Sequence, residues 1–137
     1  MTDYMQLAIK MAKKASRRGE VPIGAVIVCN GKVIAKAHNM RERSQNALAH
    51  AEVLVIGKAC RKLGSWRLDN CDMYVTLEPC AMCMGAATNA RIRNVYFGAK
   101  TTTDLNHTLA TCYIPNDECS RMLKDFFREA RTTDQSR

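Results

Sequence analysis

Apolar and polar positions change their period several times along the chain, and each change marks an element. Tyr4, Leu7, Ala8, Met11, Ala12 and Ala15 recur at spacings of three and four, which predicts an amphipathic helix. Thr2 is placed to cap its start, Asp3 suits its first turn and Gly19 ends it. Residues 23–29 form an apolar, β-branched run, Asn30-Gly31 is the pair that a type I′ hairpin turn favours, and residues 32–38 return. Residues 39–47 are polar, carry Arg41 and Arg43, and read as a loop. A second helix is expected over residues 48–63, with Leu48, Ala51, Val55, Ala59 and Leu63 on one face and Gly64 as its stop.

A short strand over 73–77 leads to Pro79, a residue well tolerated at the first position of a helix, and a third helix runs to about residue 90. Residues 95–98 form another short strand, and one more falls within 107–112. The last helix spans 116–131, with Asp117 and Glu118 near its start and Arg128 and Arg131 near its end, as the helix dipole prefers. Residues 132–137 read as a frayed tail. The order α-β-β-α-β-α-β-(β)-α predicts an α/β domain layered on one mixed sheet. No repeat, linker or low-complexity segment divides residues 1–131, so they read as a single domain.

Composition narrows the class. Of 137 residues, 47% are hydrophobic and 25% charged, which suits a globular protein and not a disordered one. Apolar runs such as 53–56 are too short to cross a bilayer. The first fourteen residues lack the apolar stretch and cleavage pattern of a secretory signal, which argues for a cytoplasmic setting. Seven cysteines, an odd number, are then expected to bind metal or pack in the core rather than form bridges. A net charge of +8 points to a polyanionic partner, nucleic acid foremost, although a soluble basic protein needs no such partner. On the first helix, Lys10, Lys13, Lys14 and Arg17 share a face that reads as solvated surface, with phosphate contact as the alternative.

Two short segments carry chemistry. His50-Ala51-Glu52 opens the second helix, and Pro79-Cys80-Ala81-Met82-Cys83 opens the third. One His and two Cys make a three-ligand zinc set with no fourth ligand evident, an open arrangement that leaves room for water. Cys80 and Cys83, three apart, are neighbours on a helix face, and the positive helix end favours their thiolates. His50 and Glu52 are two apart and face different sides of a helix, so they share a site only if it lies at the helix end. Cys29, Cys60, Cys71, Cys112 and Cys119 read as small hydrophobes.

H-x-E followed by P-C-x-x-C resembles the signature of the zinc-dependent cytidine/adenosine deaminase superfamily. Within it, residues 20–28, 49–52, 74–86, 90–100 and 117–131 are most similar to the bacterial tRNA-specific adenosine deaminases. The resemblance implies a three-layer α/β/α sandwich with a mixed sheet of about five strands. It implies one Zn²⁺ per subunit on His50, Cys80 and Cys83, with Glu52 as the proton carrier. Substrate contacts implied by it are Asn39, Ile23, the backbone N–H of Ala51, and Phe126, Phe127 and Arg128 of the last helix; the two Phe are equally suited to the core. The implied reaction converts adenosine to inosine in RNA, at the wobble position of a tRNA anticodon loop, by a homodimer.

One departure bears on specificity. Thr101–Leu105 leads straight from the FGAK segment to Asn106-His107, where the family carries about a dozen more residues beside the substrate. Two alternatives therefore stay open. One is a deaminase of a free base such as guanine or cytosine. The other is a non-catalytic zinc-containing nucleic-acid-binding subunit, against which Glu52 speaks.

Overall fold

A computed structural model describes residues 2–101 and 110–135, with side chains through residue 130. In chain order the elements are α1 (Tyr4–Arg17), β1 (Gly24–Cys29), β2 (Lys32–His38), α2 (Arg41–Ser44), α3 (Ala51–Leu63), β3 (Cys71–Val75), α4 (Ala81–Asn89), β4 (Asn94–Phe97), β5 (Thr111–Tyr113) and α5 (Asp117–Gln135). The sheet order is β2-β1-β3-β4-β5. β1 is antiparallel to both neighbours, whereas β3, β4 and β5 are parallel. The expected α/β fold with a mixed five-stranded sheet is the one observed.

Alternation builds the layers. On β3, Cys71, Met73 and Val75 face the core beneath α3 and α4, while Tyr74 faces α1 and α5. β1 is buried on both faces, which explains its continuous apolar run. The hairpin forms as the sequence predicts: Asn30 and Gly31 take φ of 51° and 78°, the left-handed pair of a type I′ turn. On the α1 side, helix and sheet nearly touch at Gly24. A Cβ there would lie 2.1 Å from the Ala8 carbonyl oxygen and 2.5 Å from the Ala12 nitrogen, both backbone atoms.

Direction along the sheet positions the site. Because β1 opposes both β2 and β3, those two strands run the same way and end at the same edge. β2 leads through a connection that contains α2 into α3, and β3 through a loop into α4, so the N-termini of α3 and α4 open at that edge. This is the edge at which α/β sheets place ligands.

The helix starts differ from those expected. Asp3, not Thr2, caps α1, its carboxylate accepting from the Gln6 N–H at 3.2 Å. α3 begins at Ala51, so Leu48 stands outside it and is 57% exposed; Leu63 is exposed as well. Cys80 precedes α4 as its N-cap, and the helix starts at Ala81 rather than Pro79. Residues 41–44, expected as loop, form the short helix α2. α5 continues to Gln135, past Arg131. Half of the strand expected at 107–112 falls outside the described residues, and β5 is found over Thr111–Tyr113.

Gly24→Ala is expected to destabilise the fold by about 1–3 kcal/mol or more, since backbone must shift to admit the methyl group. Urea unfolding measures it; an unchanged midpoint would contradict the tight α1–β1 approach.

Candidate active site

A helix N-cap normally holds Ser, Thr, Asp or Asn, whose side chain satisfies a free N–H of the first turn. Here His50 caps α3 and Cys80 caps α4, and neither side chain makes a capping bond. Both are turned instead to a common point, which Cys83 reaches from the first turn of α4. The separations are 3.9 Å from His50 Nδ1 to Cys80 Sγ, 3.5 Å from Nδ1 to Cys83 Sγ, and 3.7 Å between the sulfurs. Among the described residues this is the one group of donors spaced to share a metal ion. Tetrahedral zinc, with Zn–N of about 2.05 Å and Zn–S of about 2.3 Å, sets N–S separations of about 3.6 Å and S–S separations of about 3.8 Å. The triangle fits the ion.

Glu52 lies beside this triangle. It is the second residue of α3, yet it reaches the site because the site lies at the helix end. That meets the condition set by its spacing from His50. Its carboxyl is 4% exposed, and Oε1 has no hydrogen-bond partner. Burial raises its pKa above the ordinary carboxylate value, opposed by hydrogen bonds from its own backbone N–H and the Cys83 thiol. Burial, and then the neighbouring Glu52 and Cys80, also push the Cys83 thiol far up. Burial and the charge of Arg41 lower the pKa of His50, which keeps the imidazole neutral and able to coordinate. Two thiols and a carboxylate crowded at two positive helix ends are what a divalent cation relieves.

Beside the triangle, a cavity of 280 Å³ is lined by Val21, Ile23, Asn39, Arg41, His50, Ala51, Glu52 and Phe127. Ile23, Asn39, Ala51 and Phe127 were expected at such a site; Val21 and Arg41 were not. Asn39 accepts from the Arg41 N–H at 3.1 Å and donates to the Val21 carbonyl at 3.4 Å, which ties the wall together. Behind it, Glu20 is 1% exposed and takes the N–H groups of Glu42 and Arg43 at 3.1 and 2.6 Å, fixing α2 and with it Arg41. The only sequence signal for Glu20 is a carboxylate abutting an apolar run.

The three α5 residues separate. Phe127 is 48% exposed at the cavity. Phe126 faces a crevice against α1, lined by Lys13, Arg17 and Met122 among others, and meets Phe127 edge to face. Arg128 is ion-paired with Asp125. Adjacent helical positions point about 100° apart, so the pair of Phe cannot share one pocket.

The model of the MafB19-like deaminase family matches residues 1–131. The tRNA-specific adenosine deaminase of Bacillus subtilis (strain 168) is 50% identical over 93% of this chain and 89% of its own length. The chain belongs to the tRNA-specific adenosine deaminase family. A solved structure from work on A-to-I editing by tRNA:A34 deaminases superposes with a TM-score of 0.82 at 38% identity, over 88% of this chain and 98% of that one. The guanine deaminase of Bacillus subtilis is more distant, with a TM-score of 0.69 and 29% identity over 93% and 95% of the two chains. The match to the tRNA-specific relative runs over 143 positions, more than the 137 of this chain, so that relative carries residues lacking here. The expected shortening after Lys100 is in the same direction, although residues 102–109 lie outside those described.

Metal binding must displace thiol protons at this site, so affinity for Zn²⁺ or Co²⁺ is expected to fall as pH falls, with about two protons released per ion. Calorimetry in buffers of differing ionisation enthalpy checks it. Cys80→Ala/Cys83→Ala should abolish the thiolate-to-cobalt absorption, and retention of that band would contradict the assignment.

Proposed function

We propose that the chain catalyses zinc-dependent hydrolytic deamination of adenosine to inosine in RNA, at the wobble position of a tRNA anticodon loop. The observation that carries this reading is the buried Glu52 carboxyl, one oxygen of it unpartnered, between a zinc-sized donor triangle and a cavity able to take one flipped-out base. The tRNA-specific relatives supply the choice of base and of RNA.

His50, Cys80 and Cys83 would hold the ion, which would supply the acidification of a water molecule. Glu52 takes a proton from that water as its oxygen adds to C6 of adenine. Glu52 then passes the proton to the ring nitrogen N1. Glu52 next moves the proton of the added hydroxyl to the exocyclic amine; the C6–N bond breaks, ammonia leaves and the oxygen stays on C6 as a carbonyl. A carboxyl whose pKa is raised by burial suits this exchange, because it gives its proton back as readily as it takes it.

Ile23 and Val21 form the apolar wall against the base. Asn39 and the free N–H of Ala51, in the first turn of α3, offer polar contacts to it. Phe127 gives the base or its neighbour a face to stack on, and Arg41 stands ready for a phosphate. Phe126 packs, and Arg128 acts at the helix surface. In the same reading two copies pair, supported by exposed Leu48 and Met82, which flank the ligand-bearing helix starts. The compartment is the cytoplasm, where the tRNA substrate is; among the described residues no helix is long and apolar enough to span a membrane.

Zinc-loaded protein is to be incubated with an anticodon stem-loop and, separately, with free bases. Inosine is expected in the RNA. Glu52→Gln should cut kcat about 10²–10⁴-fold while bound zinc is retained. Deamination of free bases alone would overturn the substrate, and full activity in Glu52→Gln would overturn the mechanism.

A further inference from the structure

The positive charge of this chain is not spread evenly. Part of the basic face of α1 is answered at home: Lys13 pairs with Glu118 at 2.9 Å, and the crevice beside Lys13 and Arg17 also contains Asp125 and Glu129. On the opposite side of the sheet the sequence has no carboxylate in residues 21–41 or 53–68. Those two segments form the hairpin, with β2 as the edge strand, and α3 packed over it. Between them runs a groove of 530 Å³ whose polar lining is entirely cationic: Lys36 from β2, and Lys58, Arg61 and Lys62 from α3. Val33, Ile34 and Ala35 form the remainder.

We infer that this groove is a second RNA-docking surface, taking the phosphate backbone of the stem beyond the substrate loop. The inference rests on the RNA reading of the active site. Lysines on an edge strand also discourage strand pairing, and Lys58 Nζ does cover the Lys36 carbonyl at 2.9 Å. That role does not account for Arg61 and Lys62, which project from the helix. Their spacing from the site is informative. At about 1.5 Å per residue, Lys58 to Lys62 lie about 9–15 Å along α3 from Glu52. A helical strand advances about 3.4 Å per phosphate, so a backbone leaving the cavity comes level with the groove after about three to five nucleotides. Beyond α3, Trp66 folds back so that its carbonyl meets the Cys60 thiol. Its ring is 59% exposed, with the Arg67 and Arg91 guanidinium groups at 5.4 and 5.9 Å. Arg67 is also ion-paired with Asp69 at 2.9 Å, and an exposed aromatic plane with cations over it suits nucleic acid better than a simple anion.

The test compares wild type with Arg61→Gln/Lys62→Gln, both exposed, and with Lys36→Gln on the other wall. Binding of full-length tRNA and of a loop-only oligonucleotide is measured by filter retention over a range of salt. For the double variant, tRNA affinity is expected to fall about tenfold at moderate salt, and the slope of log K against log salt to drop by about 1.5–2. Lys36→Gln should lower the slope by about half as much. Affinity for the loop-only oligonucleotide and kcat at saturating RNA should stay at wild-type values. Unchanged tRNA affinity and slope would overturn the inference. So would an equal loss on the short oligonucleotide, or a changed sedimentation coefficient showing that the groove joins two copies. Absence of inosine formation by the wild type would sink the functional reading instead, and the binding curves distinguish the two failures.

Discussion

Two helix N-termini meet at one edge of the sheet, and the residue at each cap position turns its side chain to a shared donor triangle instead of capping its helix. That convergence is the constraint on which the structure depends. It needs β2 and β3 to run in the same direction, which the antiparallel β1 between them ensures. It also needs β1 held firmly from behind, and the near contact of α1 at Gly24 does this with little freedom to shift. The same geometry explains how His50 and Glu52, two residues apart, share one site. At a helix end, residues on different faces can converge on the axis.

Local stability is given up to build the site. Neither His50 nor Cys80 satisfies an N–H of its helix, although a cap side chain is typically worth about 1 kcal/mol. Glu52 is buried with an oxygen unpartnered, and Cys83 is buried beside it. Each feature opposes folding by itself, and together they gather a metal-sized donor triangle and a buried carboxyl at one cavity. Sequences depart from local rules in this way where function requires it. Outside the site the rules hold: Asp3 caps α1, Gly64 ends α3 in the left-handed region, and Asp117 and Glu118 lie in the first turn of α5.

The fold was legible where signals are local. The β-branched apolar run and the Asn30-Gly31 pair located the first hairpin to within a residue, and the α/β order followed from the change of period. The clustering of His50, Cys80 and Cys83 was legible because spacing and residue type coincide in H-x-E and P-C-x-x-C. What sequence did not show is non-local. The start of α3 was placed three residues early because Leu48 continues the helical spacing, and a His cap carries no capping signal. The helix α2 depends on Glu20, some twenty residues upstream, which grips its first N–H groups. Arg41 joins the cavity through that grip. The α5 residues were grouped by resemblance, whereas the turn per residue sends Phe127 to the cavity and Phe126 to α1.

The central claim is an open site of one imidazole and two thiolates, with Glu52 facing the fourth position. Zinc-edge X-ray absorption of the loaded protein reads those ligands directly. The account predicts two sulfurs at about 2.3 Å and two nitrogen or oxygen atoms at about 2.0–2.1 Å, one of them exchangeable with solvent. A shell of three or four sulfurs, or one with no sulfur, would contradict it.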